Sequence, residues 1–523
     1  MRTLYTNCKV HTFSSSEIYT AIGVEKGRIS YLGNEIPKGY KVVDLNGAHI
    51  APRLFDSHMH LLYTIVLAGQ SFFISEVKDD GVYPKNAEDA LSRLKAYSAS
   101  NPKAKIIVAN GFIPTAFSEP RLLTREELDS AAPGKAVVVY TIDGHSSTLS
   151  TKMMEAIGLD VKAYPDGILR GEAHEFNQGK ITGYIASSVK LSTLIKGIAG
   201  FINNAYSSGL SGFAALDGNE DGGKDLLTRV LALIASKLPL DIILYPQYQE
   251  FDKADVLFNM QRRKRLGGCS SWELDGAVNS MSAAFYSPYR NSEDSGHKYY
   301  EDEFISSQVK KAIDDDILLS AHAIGPAAID QLIAAYSENK DRLHKSGGMY
   351  RIDHAEFPSR LAVENLKNLD IAVTIQPGFS YIDKRYLKSY EAYLTEKQLG
   401  LLMPLKELSD SGVCLLGSSD SPVQEIDPFL QMKGMIHYYN ESQSIKPEKA
   451  YGTYSINAGK AQGRDFSLAI GNEATFNVYR KSPLEELCRE DLVGVYIKGK
   501  VAKKIKRPLL YAISLLFRRS KLI

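Results

Sequence analysis

The stretch Ala51-Pro52-Arg53-Leu54-Phe55-Asp56-Ser57-His58-Met59-His60 decides how the fold is interpreted. An apolar run ends here in two histidines that are separated by one residue. Residues two apart on an extended strand point to the same side, so His58 and His60 would present both imidazoles together. Helical metal pairs are four residues apart instead, and the spacing therefore predicts a strand. Imidazole binds zinc, iron, nickel or copper, so the pair predicts half of a metal site, with ordinary surface or core histidines as the alternative.

The composition is that of a folded protein without a strong electrostatic field. The chain has 523 residues, 44% of them hydrophobic and 24% charged, and Lys+Arg 62 against Asp+Glu 61 leave a net charge of +1. The length predicts one large domain and a smaller one, and the balanced charge argues against nucleic acid as a partner. Four scattered cysteines predict reduced thiols in a cytoplasmic protein. The first residues lack a signal-peptide core, and no apolar run reaches the roughly 18 residues of a spanning helix.

Strands alternate with helices over most of the chain. Residues 2–50 consist of short strand-like segments and turns, and from residue 185 onward each predicted strand is followed by a helix. Such alternation predicts parallel pairing, and so many units favour a closed (β/α)8 barrel of the TIM type within the α/β class. A doubly wound sheet is the alternative, but no glycine-rich phosphate turn follows the first strand. Residues 473–479 and 492–500 return to strand patterning and are expected to pair with residues 2–50.

Residues 503–523 form a basic-apolar tail. Basic residues flank an apolar run over 509–517, which is too short to span a bilayer. One interpretation is a helix that lies on an anionic membrane surface as a peripheral contact. The simpler interpretation is docking onto the chain's own body or onto a second subunit of a homo-oligomer.

Three later strands also end in a residue that can bind a metal. These residues are His322 in 321–325, His354 in 353–356 and Asp420 in 419–422. Barrel enzymes place their chemistry at the carboxyl ends of several strands. A single buried histidine is often only hydrogen-bonded, and a strand-end aspartate often caps the next helix. Together with His58 and His60, however, the set predicts a metal site.

The order of these residues resembles the amidohydrolase superfamily of metal-dependent hydrolases. The segments 321–325, 351–355 and 417–423 resemble the branch called amidohydrolase family 3, which includes YtcJ-like and N-substituted formamide deformylase-like proteins. Segments 143–146, 275–276 and 454–458 match that branch as well. The resemblance covers nearly all of residues 2–500. It implies a composite β-sandwich from 1–50 plus 465–502, and a barrel over 51–464 with an insertion after its first strand.

The resemblance also implies roles for single residues. His58 and His60 would bind one divalent metal ion, and His322 and His354 would complete that site or bind a second ion; zinc is the expected metal. Asp420 would be the general base that takes a proton from the attacking water. A bound ion brings the pKa of water from 15.7 to about 7. His145 would contact the substrate or support the site, with a hydrogen bond that stabilises the loop as the alternative.

The chain departs from the family pattern at one ligand position. Family members carry a lysine shortly before the pair matched here by Asp275-Gly276, whereas this chain has Cys269-Ser270-Ser271-Trp272-Glu273-Leu274. Glu273 would either bridge two metals in its place or have an ordinary structural role, so one or two ions are expected. Pro52-Arg53 stands where Pro-Gly is usual, and an alanine-rich strand over 212–216 replaces a polar strand end.

Two functions follow from these observations. The first is a metal-dependent hydrolase of carbon–nitrogen bonds, acting on an amide, N-formyl or related small-molecule substrate. The second is a non-catalytic relative that keeps the fold as a binding or regulatory scaffold. The missing lysine favours the second, and the five ligand candidates favour the first.

Overall fold

The computed structural model describes residues 2–67, 71–78, 81–218, 226–378 and 390–523. The strands of this described part are β1 Thr3–His11, β2 Ile18–Glu25, β3 Arg28–Gly33, β4 Lys41–Pro52, β5 Leu54–Met59, β6 Ser71–Phe73, β7 Glu76–Lys78, β8 Gly81–Tyr83, β9 Ile106–Phe112, β10 Ala136–Thr141, β11 Ser146–Leu149, β12 Ile168–Arg170, β13 Leu210–Asp217, β14 Asp241–Pro246, β15 Arg265–Glu273, β16 Leu318–Ala323, β17 Tyr350–His354, β18 Ile371–Ile375, β19 Cys414–Gly417, β20 Phe476–Tyr479, β21 Leu492–Ile497 and β22 Lys500–Val501.

The α-helices of the same residues follow in chain order. They are α1 Leu61–Leu67, α2 Ala87–Ser100, α3 Arg125–Ala131, α4 Thr151–Ala156, α5 Glu172–Ser188, α6 Leu191–Ser207, α7 Leu226–Ala235, α8 Asp255–Phe258, α9 Asp302–Asp314, α10 Pro326–Ser337, α11 Arg360–Leu366, α12 Glu396–Leu399, α13 Leu405–Asp410, α14 Pro428–Ile436, α15 Pro447–Tyr454, α16 Ile456–Ala461 and α17 Pro508–Leu516. Short 3-10 turns lie at Pro114–Ala116, Phe251–Ala254, Lys340–Ser346, Glu441–Gln443 and Arg489–Asp491.

Eight parallel strands carry the centre of the molecule, in two sheets. One has the order β14-β13-β5, and the other runs from β15 to β19 in sequence order, with every neighbouring pair parallel. Both faces are covered, and the strands are buried over almost their whole length, as expected for parallel sheets. The α/β class predicted from the alternation is therefore confirmed.

The predicted closed barrel is not formed by the described strands, because the hydrogen-bonded ladder stops between β14 and β15. In β15 the glycines Gly267 and Gly268 have φ of +100° and +114°. Only glycine adopts this backbone region readily, and both glycines still pair with β16, Gly267 opposite Ser320 and Gly268 opposite Ala321. A Cβ on Gly268 would lie 2.4 Å from the Leu216 side chain of β13, so the kink also allows a close approach of β15 to β13. On the other side, the end of β5 is linked to the residues that follow β19, where the Asp420 N–H donates to the His58 carbonyl and Met59 forms a bridge with Ser421.

Strands from both ends of the chain form one seven-stranded sheet of order β22-β21-β20-β4-β1-β2-β3. β20 pairs with β4 so that Asn477 lies opposite Ala51. Ile50, Phe476 and Val478 are fully buried in the hydrophobic core of this sheet. The expected pairing of the two ends occurs, but the described strands from these two ends form one sheet, so the expected composite β-sandwich is not confirmed.

A separate five-stranded sheet lies in the chain between β5 and β13. Its order is β12-β11-β10-β9-β6, and α2 and α3 share its hydrophobic core through Leu94 and Leu128. This is where the resemblance implied an insertion, and the proposed domain boundaries remain predictions.

No single helix among the described residues is both long enough and apolar enough to cross a membrane. One bent pair, α5 with α6, is long and apolar enough when the two helices are taken together, at an angle of 109°.

Candidate metal centre

His58 and His60 lie at the carboxyl end of β5 and turn their rings toward one region. β5 is buried throughout, and His58 has no exposed surface. The two rings meet edge to face with centroids 5.5 Å apart. His60 Nδ1 lies 2.9 Å from the backbone oxygen of Leu216, which leaves Nε2 for the site. The two imidazoles therefore meet as the two-residue period of a strand predicts.

Asp420 brings a carboxylate against both histidines. Its Oδ1 lies 3.2 Å from His58 Nε2 and 3.4 Å from His60 Nε2. The Asp420 N–H donates to the His58 carbonyl at 2.9 Å, and the His60 N–H donates to the Ser421 carbonyl at 2.8 Å. Asp420 has φ of 54°, in the left-handed region that residues other than glycine rarely occupy. Such strain is held by the surrounding structure and is concentrated at functional sites.

His322 and His354 complete the predicted set. Their ring centroids are 4.5 Å apart, and the His354 ring lies 5.0 Å from that of His58. His354 Nδ1 lies 3.0 Å from Gln376 Oε1, whose own amide nitrogen donates to Ser418 Oγ. Because an amide oxygen only accepts, His354 carries its hydrogen on Nδ1 and keeps Nε2 for a ligand. All five residues predicted as ligands or base are thus brought together.

Burial and the neighbouring carboxylates shift the pKa values of His58 and His60 in opposite directions. Burial lowers the pKa of His58, but the carboxylates of Asp420 and Asp353 outweigh it and raise that pKa to about 9. Burial also opposes the shift at His60, where Asp420 raises the pKa to about 10. By contrast, burial holds the pKa of His322 well below its usual range. Positive charge is therefore favoured beside Asp420, as a cation site requires.

Cys269 on β15 is a candidate ligand that the sequence interpretation missed. Its Sγ lies 3.5 Å from His58 Nε2, and the residue is buried. The sulfur is grouped with ligand atoms of His58 and His354, and also with those of Glu273 and His322, within 4.8 Å in each group. A signal was available, because a cysteine, which can itself ligate a metal, stands in the segment that lacks the family's lysine.

Glu273 and His145 meet a second residue that sequence reasoning missed, Glu175 of α5. His145 Nδ1 lies 2.9 Å from Glu175 Oε1 and 3.9 Å from Glu273 Oε2. Burial and the Glu175 carboxylate raise the pKa of Glu273 well above its usual range, whereas His174 and His145 overcome burial and lower the pKa of Glu175 to about 2. Glu175 lies 30 positions from His145 on a helix without a recognisable motif, so no local signal pointed to it.

Asp353 and Arg351 support His58 from behind. Asp353 Oδ1 lies 3.3 Å from His58 Nδ1 and 3.2 Å from Arg351 Nη2. Arg351 also donates from Nη1 to the Ser57 carbonyl at 2.7 Å, and its guanidinium lies 4.4 Å from the centre of the Tyr245 ring. These contacts fix the orientation of the imidazole without reaching the cavity, which is how the partners of metal-binding histidines act.

Two further buried carboxylates hold backbone in place. Asp275 accepts three N–H bonds at 2.7 to 2.9 Å, from Ala284, Ile324 and Gly325. Asp56 accepts from His58 N–H at 3.2 Å and Ser419 N–H at 3.1 Å, and so ties the end of β5 to the end of β19. The matched Asp275-Gly276 pair therefore shapes the loop after β16.

The donor set suits a divalent metal ion. Asp420 Oδ1, Glu273 Oε2 and His322 Nδ1 are buried and have no hydrogen-bond partner within the described part of the chain. Buried polar atoms without partners are costly, and a bound cation would satisfy the two carboxylate oxygens. Four groups of possible ligands lie here: His58–Cys269–His354, His58–His60–Asp420, Cys269–Glu273–His322 and His145–Glu175–Glu273. Each group shares a residue with at least one other group, through His58, Cys269 or Glu273, so the ligands form one continuous set.

A cavity of about 1080 Å³ opens onto these ligands at the carboxyl ends of the strands. Its wall combines several of the candidate ligands with apolar side chains. The apolar side chains are Leu62, Tyr63, Ile142, Leu226 and Val423. A concave, largely apolar pocket with a few convergent polar groups is the usual form of a small-molecule site.

Known proteins resemble the chain over most of its length. The sequence model of the amidohydrolase family matches residues 41–502. The putative amidohydrolase YtcJ of Bacillus subtilis (strain 168) is 22% identical over 504 residues, which cover 89% of this chain and 91% of that protein. The exoenzymes regulatory protein AepA of Pectobacterium carotovorum subsp. carotovorum is 25% identical over 368 residues, covering 65% and 77%. The crystal structure of an uncharacterized metal-dependent hydrolase from Pyrococcus furiosus has a TM-score of 0.68 at 20% identity, covering 93% of this chain and all of that one.

Fold and site together define the class as a metal-dependent hydrolase of α/β architecture. Because the family model spans most of its length, this chain belongs to the amidohydrolase family.

Proposed function

We propose that the protein hydrolyses carbon–nitrogen bonds other than peptide bonds, in an amide, N-formyl or related group of a small molecule. One observation carries this proposal: the Asp420 carboxylate lies within 3.4 Å of both His58 and His60 at the floor of a cavity. A carboxylate beside two imidazoles combines a ligand set with a proton acceptor, which hydrolysis of an amide requires.

A divalent ion, zinc in the first place, would be held by His58, His60 and Asp420. Cys269, His322 and His354 would complete the donors, and zinc accepts nitrogen, sulfur and carboxylate oxygen alike. When bound, such an ion lowers the pKa of water toward 7 and polarises a carbonyl.

Cys269 takes the position of the family's lysine in this proposal. Its sulfur is grouped with His58 and His354 and also with Glu273 and His322, so it would help to hold one ion or two. Glu273 is the weaker candidate for that position, since its Oε1 accepts the Ser270 N–H at 2.8 Å, and burial with the Glu175 carboxylate raises its pKa well above the usual range.

Asp420 would move the proton during the reaction. Asp420 would accept the proton of the attacking water on a carboxylate oxygen. It would then deliver that proton to the leaving nitrogen. His145 would contact the substrate carbonyl through Nε2, because Nδ1 is held by Glu175 at 2.9 Å.

The size of the cavity supports a bulky substituent on the substrate. A formyl or acetyl group alone would occupy a small part of about 1080 Å³. The apolar wall formed by Leu62, Tyr63, Ile142, Leu226 and Val423 would contact an aromatic or branched aliphatic group.

The proposal extends to the closure of the sheets and to the location of the protein. The two parallel sheets would be the halves of one (β/α)8 barrel, since Met59 bridges to Ser421 and β14 lies beside β15. A cytoplasmic location is supported by four cysteines that are all free.

A hydrolysis screen on purified protein of known metal content tests the function. N-formyl and N-acyl amines would be offered with substituents that increase in size from methyl to benzyl and naphthyl. We expect amine release that requires a divalent metal and a kcat/KM that rises with the apolar substituent. The proposed enzymatic function would be wrong if the purified protein retains no zinc, iron or manganese and gains no activity when these metals are added.

A non-catalytic binding or regulatory role is the second candidate. The regulatory description of AepA and the missing lysine favour it. Such a protein would bind N-acyl amines, seen as a shift of its thermal unfolding midpoint, without releasing the amine.

A further inference from the structure

We propose that residues 503–523, with the groove beside them, bind the surface of an anionic lipid bilayer. This segment lies outside residues 41–502, which the family model matches. The proposal therefore concerns a surface that family membership does not account for, and it does not depend on the hydrolytic function.

The segment is fixed to the body of the protein through one face. Leu515 and Ile523 are buried, with exposed fractions of 8% and 2%. The Ile505 N–H donates to Asn203 Oδ1 at 2.6 Å, and the Lys521 N–H donates to the Ser236 carbonyl at 3.0 Å. The helix α17 is thus held in a defined orientation, and the expected docking onto the chain's own body is what the structure shows.

The opposite face of α17 is apolar and exposed. Leu509, Leu510, Ile513, Leu516 and Phe517 have exposed fractions between 45% and 85%. At 100° per residue these five side chains cover an arc of about 120°, centred opposite Leu515. Single exposed apolar residues are ordinary, but a continuous apolar face of this kind marks an interaction surface.

Cations surround this face, and acidic residues are absent from the segment. Residues 503–523 contain seven Lys or Arg and no Asp or Glu. A groove of about 500 Å³ beside α17 is lined by Lys500, Lys503, Lys504, Lys506, Arg507 and Arg518, with Ile202 and Tyr206 also contributing. Lys503, Lys504, Lys506 and Arg507 form no ion pair with any described residue. Apolar side chains framed by unpaired cations match the acyl and phosphate layers of an anionic bilayer.

A second copy of this chain fits the same surface poorly. A two-fold symmetric contact places identical patches against each other, so the basic residues of both copies would face one another. Phe517, which is 85% exposed, would then be buried among like charges. The charge pattern therefore favours lipid as the occupant.

Vesicle co-sedimentation of the full chain tests the proposal. We expect binding to phosphatidylcholine vesicles that contain phosphatidylserine, little binding to phosphatidylcholine alone, and a decrease with added salt. The double variant L516S/F517S should lose about tenfold or more in partition coefficient, since both side chains leave the acyl layer. The variant K503Q/K504Q should also lose about tenfold, but only on anionic vesicles.

Leu361→Ser is the matched control, because Leu361 is 66% exposed on a helix outside this surface. It should bind vesicles like the unaltered chain, and the thermal unfolding midpoint of each variant checks the fold. Equal binding of L516S/F517S and the unaltered chain would overturn the proposal. So would a dimer in sedimentation velocity that L516S/F517S dissociates, since the occupant would then be a second copy. Loss of vesicle binding with unchanged hydrolysis would separate this surface from the active site.

Discussion

Asp420 and His58 touch at 3.2 Å, yet they are assigned different tasks. His58 is fully buried, is held by Asp353, and belongs to two ligand groups. Asp420 belongs to one group and borders the cavity. Removing the imidazole should therefore remove the metal, whereas neutralising the carboxylate should chiefly remove the proton acceptor.

The variants Asp420→Asn and His58→Ala separate these tasks. Asp420→Asn should keep its metal and lose about 10²–10⁴-fold in kcat, the usual contribution of a general base. His58→Ala should lose the metal, measured by plasma mass spectrometry on the same samples. Asp166→Asn, on an exposed loop, serves as the control for a neutralised acid. Full turnover by Asp420→Asn would rule out this assignment of the base.

Cys269 gives a spectroscopic prediction that is independent of turnover. Protein loaded with Co²⁺ should show a near-ultraviolet band from thiolate-to-cobalt charge transfer, because a coordinating thiol is deprotonated. Cys269→Ser should lose that band, while Cys414→Ser should keep it, since Cys414 is equally buried but belongs to none of the ligand groups. A band that survives Cys269→Ser would exclude the sulfur as a ligand.

The limits of prediction from sequence are clear at these residues. His58, His60, His322, His354 and Asp420 could be found because each follows or ends a buried apolar strand, and parallel strands end at one edge. Cys269 escaped because the kinked backbone at Gly267 and Gly268 changes the period of β15. Glu175 escaped because a contact between α5 and a loop 30 residues away leaves no local pattern.

Among the elements, the pairing of β1 with β4 brings two histidines together in the terminal sheet. His11 Nε2 lies 2.9 Å from His49 Nδ1, and the rings stack with centroids 5.1 Å apart. Burial, followed by the neighbouring His49, lowers the pKa of His11 to about 4. In the folded protein His11 therefore stays neutral until the pH falls to about 4.

The sheet should consequently lose stability as the pH falls. Between the unfolded pKa of about 6.5 and the folded pKa of about 4, the unfolded chain binds more protons, so acidification favours unfolding there. His11→Gln should reduce this loss by about 1–3 kcal/mol across that window. Urea unfolding at a series of pH values measures it, with His297→Gln, an exposed histidine, as the control. An identical pH dependence for His11→Gln and the unaltered chain would contradict the assignment.

The parallel strands show what element patterns can and cannot predict. Apolar runs such as Leu318–Ala323 and Ile371–Ile375 were recognisable because both faces of a parallel sheet are buried. Whether eight such strands close depends on the backbone geometry at two seams, β14 against β15 and β5 against β19, which separate the two sheets. Apolar periodicity carries no information about that geometry, so the class was predictable and the closure was not.

At the scale of the whole molecule, Arg53 links the terminal sheet to the parallel strands. Its Nη1 lies 3.0 Å from Asp241 Oδ2 of β14 and 3.5 Å from Glu473 Oε1, and its Nη2 donates to the Ser211 carbonyl at 3.1 Å. The arginine is 3% exposed. Arg464 also pairs with Asp241, and the two guanidinium groups hold the pKa of Asp241 well below its usual range against the effect of burial.

Replacing Arg53 should therefore weaken the connection between the two parts. Arg53→Met keeps much of the volume but leaves part of a buried ion network unpaired, which typically costs about 3–5 kcal/mol. We expect a lower midpoint of urea unfolding, followed by circular dichroism. Arg28→Met, at the exposed start of β3, loses only an exposed hydrogen bond to the Gly471 carbonyl and should change the midpoint little. An unchanged midpoint in Arg53→Met would show that the network contributes no net stability.

The placement of the tail has a consequence for how substrate would arrive. Residues 521–523 contact Leu238, Leu240 and Met260, just before β14 and β15 begin, whereas the ligands lie where the strands end. A molecule resting on a bilayer through α17 would therefore turn its cavity toward the water. Its substrate would be drawn from the aqueous phase, and turnover of a water-soluble amide should proceed at the same rate on vesicles as in free solution.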